Sequence, residues 1–176
     1  TLSKLNVLDK NQHHTLAITT TKHLIANLTT ELTSFWSSLP RSLKAEPSLT
    51  LAYCKQCITT QHFEQASQCI TLALGKHWVD HLVSLYVDLP SQTPEQQLSQ
   101  LNQWNHQYPK KTETLLALAR IYSKTGFLEQ SKHLICQSLE LAPQRAAYHL
   151  MAQIMEEQGD IAASQRYLKK ALASLT

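Results

Sequence analysis

The chain reads as an all-α protein assembled from antiparallel helix pairs, and three observations carry that reading. Apolar residues recur at helical spacing along nearly its whole length, while no segment alternates with period two for long enough to argue a strand. Two stretches near the C-terminus are copies of one another, with Ala119 and Ala152, and likewise Gly126 and Gly159, 33 residues apart. Prolines fall between periodic segments rather than within them, with Pro109 and Pro143 separated by 34 residues.

In the first copy, residues 112–144, the residues Leu115, Leu118, Ala119, Tyr122, Gly126, Ser131, Ile135, Ser138 and Pro143 follow an order of large, small, aromatic, small and proline positions. In the second, residues 145–176, Tyr148, Met151, Ala152, Met155, Gly159, Ser164, Leu168 and Ala171 stand at the same offsets. This is the tetratricopeptide pattern. Ala119 and Ala152 let the two helices of a unit approach closely, and Gly126 and Gly159 supply the backbone freedom of a tight turn. Upstream, residues 47–76 match more weakly through Tyr53, Cys54, Cys57, Phe63, Ala66, Ile70 and Ala73, with Gln61 where the turn glycine would sit. Residues 78–109 are more degenerate, and Pro90 and Pro94 bracket their inter-helix turn. A first unit is expected near residues 13–40.

Taken in order, helices are expected at 13–27, 30–38, 48–60, 63–74, 78–88, 94–107, 112–124, 128–141, 145–157 and 161–174. The expected architecture is a tetratricopeptide-like solenoid, a right-handed superhelix of helix pairs forming one domain over residues 1–176. Three glycines and six prolines leave no low-complexity linker to divide it. The first dozen residues read as the end of a helix and a loop, which leads us to expect an array cut from a longer protein.

Composition excludes several function classes. Net charge is +3, but Lys110–Lys111 and Lys169–Lys170 are the only adjacent basic pairs, so no nucleic-acid stripe is expected. No apolar run approaches the roughly 18 residues needed to span a bilayer. Nothing resembles paired carboxylates, a nucleophile beside a base, or a glycine loop for phosphate, so the chain does not read as an enzyme.

Several stretches resemble the HemY family, bacterial proteins encoded alongside early haem-biosynthesis enzymes. These are Trp36, Leu39, Pro40 and Arg41; Trp78, Asp80, Leu82, Leu85 and Tyr86; Leu98, Leu101, Trp104, Tyr108 and Pro109; and the run Leu115, Leu116, Ala117, Leu118, Ala119, Arg120. Ala119 stands where the family would have glycine. The resemblance implies a membrane-anchored parent whose repeats face the cytoplasm at the bacterial inner membrane, with haem-pathway enzymes as protein partners. It implies no catalytic activity and no cofactor.

Cysteines and histidines suggest a rival, direct binding of a metal or tetrapyrrole. Cys54, Cys57, His62 and Cys69 read as C-x2-C-x4-H-x6-C, a ligand set zinc accepts. Cys54 and Cys57 nevertheless fall at core positions of a helix, where cysteine packs as a small hydrophobe, so the core reading is preferred. The nine histidines are scattered and form no haem-attachment motif. The three tryptophans, Trp36, Trp78 and Trp104, read as inter-helix packing.

A protein partner is expected in the concave groove, which the first helix of each unit lines. The residues expected to be exposed there are Leu51, Lys55 and Ile58; Glu113, Leu116, Arg120 and Ser123; and Ala146, His149, Gln153 and Glu156. Lys55 and Arg120 beside apolar neighbours suit an extended or helical peptide with some acidic character.

Overall fold

The computed structural model describes residues 10–90 and 92–174. Among them every regular element is an α-helix, in the order α1 Lys10–Asn27, α2 Leu32–Ser38, α3 Arg41–Lys44, α4 Pro47–Thr59, α5 Phe63–Leu74, α6 Asp80–Val87, α7 Pro94–Gln107, α8 Thr112–Lys124, α9 Leu128–Leu141, α10 Arg145–Glu157 and α11 Ile161–Ala173. Where the sequence suggests one body, the chain forms two compact units, Thr1–Val79 and Asp80–Thr176. Most of the segment expected to be a helix end and loop, residues 1–9, lies outside the described residues.

In the first unit α4 is the central helix, in contact with α1, α2, α3 and α5. Pro47 occupies its first turn, where a missing N–H removes no helical hydrogen bond. Leu49, Tyr53, Cys54 and Cys57 of α4 meet a core that includes Ile25, Leu32, Ala66, Ile70 and Leu74. The Gln56 amide donates to the Leu28 carbonyl at 2.8 Å, tying α4 to the end of α1. Trp36 stacks on Tyr53 with ring centroids 4.3 Å apart, so it packs as expected. The short α3 was not anticipated; it fills the interval between Pro40 and Pro47.

The second unit begins with α6 and α7, joined by a loop that ends in a capping box. Gln96 N donates to Thr93 Oγ1, and Thr93 N donates to Gln96 Oε1. One turn on, the buried Gln97 donates to the carbonyls of Tyr86, Val87 and Leu89 at 3.2 to 3.4 Å. Those carbonyls close the C-terminal end of α6, where a helix leaves acceptors without partners of its own. Trp104 is buried edge-on to Tyr86, with 4.9 Å between ring centroids.

Helix pairs α8–α9 and α10–α11 complete this unit, and α10 rests on both α8 and α9. The small residues sit where the repeat pattern requires: Ala119 and Ala152 are 0% and 1% exposed. Ser131 Oγ reaches the Ala119 carbonyl at 2.7 Å, a distance of approach that a larger side chain at the interface would obstruct.

The inter-helix turns are built alike in both units. Phe127 N donates to the Tyr122 carbonyl at 2.8 Å, Asp160 N to Met155 at 2.9 Å, and His62 N to Cys57 at 2.7 Å. Gly126 and Gly159 have φ of 82° and 81°, and Gln61 adopts φ 61° at the corresponding place. The weak repeat around α4 and α5 thus makes the same left-handed turn without glycine.

Candidate functional site

The residues expected to line the groove fall into both units and are described unit by unit. On α4, Lys55 is exposed, while Leu51 and Ile58 are half-buried. On the second unit they lie on α8 and α10, the first helices of the two copied repeats. His149, Gln153 and Glu156 of α10 are exposed, as is Ala146. Glu113, Arg120 and Ser123 of α8 are half-buried.

Leu116 corrects the expectation. It is 8% exposed and belongs to a core with Ala119, Ile135, Ala147, Met151 and Ile154. The physical reason is the stacking of α10 on α8 and α9, which covers an apolar side chain that a single repeat would leave open. His149 occupies the corresponding position of the next repeat, 33 residues on, and remains exposed.

Arg120 is placed on the expected helix, but its charge is already answered. Its Nη2 lies 2.5 Å from Asp88 Oδ1, a pair the sequence did not suggest because the two residues are 32 positions apart. Glu113 also has a partner, accepting from the Gln144 amide at 3.3 Å, and that amide reaches Thr112 Oγ1 at 2.7 Å. With Asp88, Glu113 and Glu156 near or on these helices, this surface is not selectively cationic. A planar guanidinium has five donors, so Arg120 retains capacity for a second acceptor beside Asp88.

Beside this surface is an open depression of about 440 Å³ lined by Tyr122, Glu129, Gln130, His133 and Leu134. None of its residues was singled out by the repeat template, since they come from the end of α8 and the start of α9.

The four candidate zinc ligands do not converge. Among the described residues no three His, Cys, Asp or Glu side chains are gathered as a metal site. Cys54 and Cys57 are fully buried in the first unit's core, and Cys69 of α5 is half-buried. Cys54 is hydrogen-bonded to Cys69, and Cys57 to the Tyr53 hydroxyl. The neighbouring Cys69 sulfur and burial push the Cys54 thiol up, and burial pushes Cys57 up to about 11. His62 instead sits at the inter-helix turn, with Nδ1 2.8 Å from Thr60 Oγ1. Protonated, buried sulfurs are poor ligands, because metals bind the thiolate.

Comparison with known proteins bears on the fold. The tetratricopeptide repeat family model matches residues 112–145 and 146–174. A crystal structure of MamA superposes with a TM-score of 0.57 at 14% identity, covering 81% of this chain and 88% of that one. Structures of MamA from MSR-1 and AMB-1 give TM-scores of 0.55 and 0.56 at 13% and 12% identity, covering 92% and 89% of this chain and 93% and 94% of theirs. Comparison with curated protein sequences gave no significant match. The matched repeats coincide with α8–α9 and α10–α11, whose turns, small-residue contacts and stacking were described above. The chain therefore carries two tetratricopeptide repeats in its second unit and has the tetratricopeptide-like type of all-α fold.

Proposed function

We propose that the chain is a protein–protein interaction scaffold whose binding surface is formed by α8 and α10, and that its partners are enzymes of haem biosynthesis. The observation that supports the scaffold reading is the exposure of His149, Gln153 and Glu156, with half-buried Glu113, Arg120 and Ser123, on two adjacent helices anchored by a common core. Rigid helices that present polar side chains at fixed spacing suit recognition of an extended or helical segment. Tetratricopeptide units expose such surfaces as extended binding faces. The choice of haem-pathway partners, a cytoplasmic-facing placement and an inner-membrane anchor in the parent protein rests on the HemY resemblance alone, an associational ground. No helix among the described residues is long and apolar enough to cross a membrane.

The test is affinity capture from solubilised bacterial membranes, with the chain as bait and a Gln153→Ala, Glu156→Ala variant in parallel. Recovery of haem-pathway enzymes by the parent and their loss from the variant is the expected result. Specific capture of unrelated proteins would remove the haem assignment and leave the scaffold. If parent and variant capture the same proteins, the binding surface lies elsewhere.

A further inference from the structure

Helix α11 carries a face that the internal repeat shows to be a helix seat. In the preceding unit, Leu128, Ile135 and Leu139 of α9 pack into the core formed with Ala147, Met151 and Ile154 of α10. The residues 33 positions later on α11 are Ile161, Leu168 and Leu172. Ile135 is 0% exposed, whereas Ile161, Leu168 and Leu172 are 52%, 39% and 63% exposed. Their spacing of seven and four residues places them on one side of the helix, and the opposite side, through Ala163, Ser164 and Ala171, is buried. The same apolar stripe is thus covered in one repeat and open in the next.

Charge defines what would cover it. Around α11 the residues after the stripe are Lys169 and Arg166, both exposed, followed by Lys170, which lies over the Tyr167 ring. The helix itself contains no acidic residue. Arg145 stands at the start of α10, which the short turn between the two helices brings to the same end as Lys169 and Lys170. A second copy docking through α1 would be a poor occupant. That helix exposes Leu16 and Leu24, but it also carries His13, His14, Lys22 and His23 and no acidic residue.

We infer that the Ile161–Leu168–Leu172 face of α11 is a second interaction surface, and that it receives an acidic amphipathic α-helix of a partner protein in the manner in which α9 receives α10. Apolar side chains of that helix enter the stripe, and its carboxylates face Lys169 and Arg166. This surface is separate from the exposed positions on α8 and α10, so it stands or falls independently of the function proposed for them.

The probe is a fluorescein-labelled peptide with the sequence of residues 146–158 and glutamate at the position of Gln153. A control peptide carries lysine at that position and at those of Glu156 and Glu157. Fluorescence anisotropy with the full chain should show the acidic peptide binding at least about tenfold more tightly than the lysine peptide. Leu172→Glu should abolish binding while the chain melts as the parent does, because the side chain is 63% exposed. The double variant Lys169→Glu, Arg166→Glu keeps the apolar stripe and should reverse the preference between the two peptides. Equal binding of both peptides overturns the inference, as does Leu172→Glu binding like the parent. Light scattering that shows a dimer of the unliganded chain, dissociated by Leu172→Glu, also overturns it and assigns the face to self-association.

Discussion

Arg120 on α8 donates from Nη2 to Asp88 Oδ1 at 2.5 Å, which fixes the guanidinium against the residue that follows α6. Both side chains retain solvent access, 35% for Arg120 and 52% for Asp88. An ion pair so exposed contributes little to folding, so Arg120→Ala and Asp88→Ala should each change stability by less than about 1 kcal/mol, as read by denaturant melts. The effects on partner binding should have opposite signs. Arg120→Ala removes a charge-assisted donor and should weaken a partner that contacts it by roughly 1 to 3 kcal/mol. Asp88→Ala releases the guanidinium and should strengthen the same partner. Lys76→Ala, exposed and in the other unit, serves as the charge control. If both variants weaken binding alike, the pair acts as one unit and Arg120 is not a donor held for a partner.

Much of the fold was legible because helix positions follow from local periodicity. The expected bounds of α5, α7, α8, α9 and α10 coincide with those observed, and α1 begins three residues earlier than expected. The surface was less legible, for reasons of distance along the chain. Leu116 is half of a template position and half of a stacking interface, and only the placement of α10 decides which wins. The Arg120–Asp88 pair joins residues in different repeats, where the template gives no pairing rule. Gln61 lay at the right position, but the sequence could not say that a non-glycine would accept the left-handed turn there.

That turn gives the second prediction. Gln61 at φ 61° holds a conformation that costs an L-residue about 1 to 2 kcal/mol, part of which glycine recovers at the expense of unfolded-state entropy. Gln61→Gly should therefore stabilise the first unit by about 0.5 to 1 kcal/mol in a urea melt. Conversely, Gly126→Ala and Gly159→Ala should each destabilise by about 1 kcal/mol, through strain alone. A Cβ at either glycine would meet nothing within 4 Å, so no clash contributes. A neutral outcome at all three positions would mean that the turns relax and that the shared hydrogen-bond pattern does not hold them.

Close helix approach gives the third. Ala119 and Ala152 are almost fully buried, and the Ser131 hydroxyl reaches the Ala119 carbonyl across the α8–α9 contact. Ala119→Leu should overpack that contact and cost on the order of 1 to 3 kcal/mol, and Ala152→Leu likewise between α10 and α11. Ala119→Leu should also release the Ser131 bond, which a loss of slow amide exchange at the middle of α8 and α9 would report. Variants melting at the parent temperature would contradict the repeat register.

The buried sulfurs give the last prediction, which separates a core from a metal site. Burial pushes Cys57 from its ordinary value near 9 up to about 11, and Cys54 is raised as well by its hydrogen bond to Cys69 and by burial. A thiol raised in the folded state binds its proton more tightly than the unfolded chain does. Its stabilising contribution is complete below pH 9 and is lost as pH rises from about 9 toward 11. Urea melts should therefore show the first unit weakening across that interval, and Cys57→Val should flatten the dependence with little loss at pH 7, since valine fills a similar apolar volume. At pH 8, iodoacetamide should modify exposed Cys136 and spare Cys54 and Cys57 until the chain is unfolded. Chelator should leave the melt unchanged, because packing and not coordination holds these side chains. Stoichiometric zinc that protects Cys54 and Cys57 from alkylation, and whose removal lowers the melting temperature, would instead require the four residues to converge in solution.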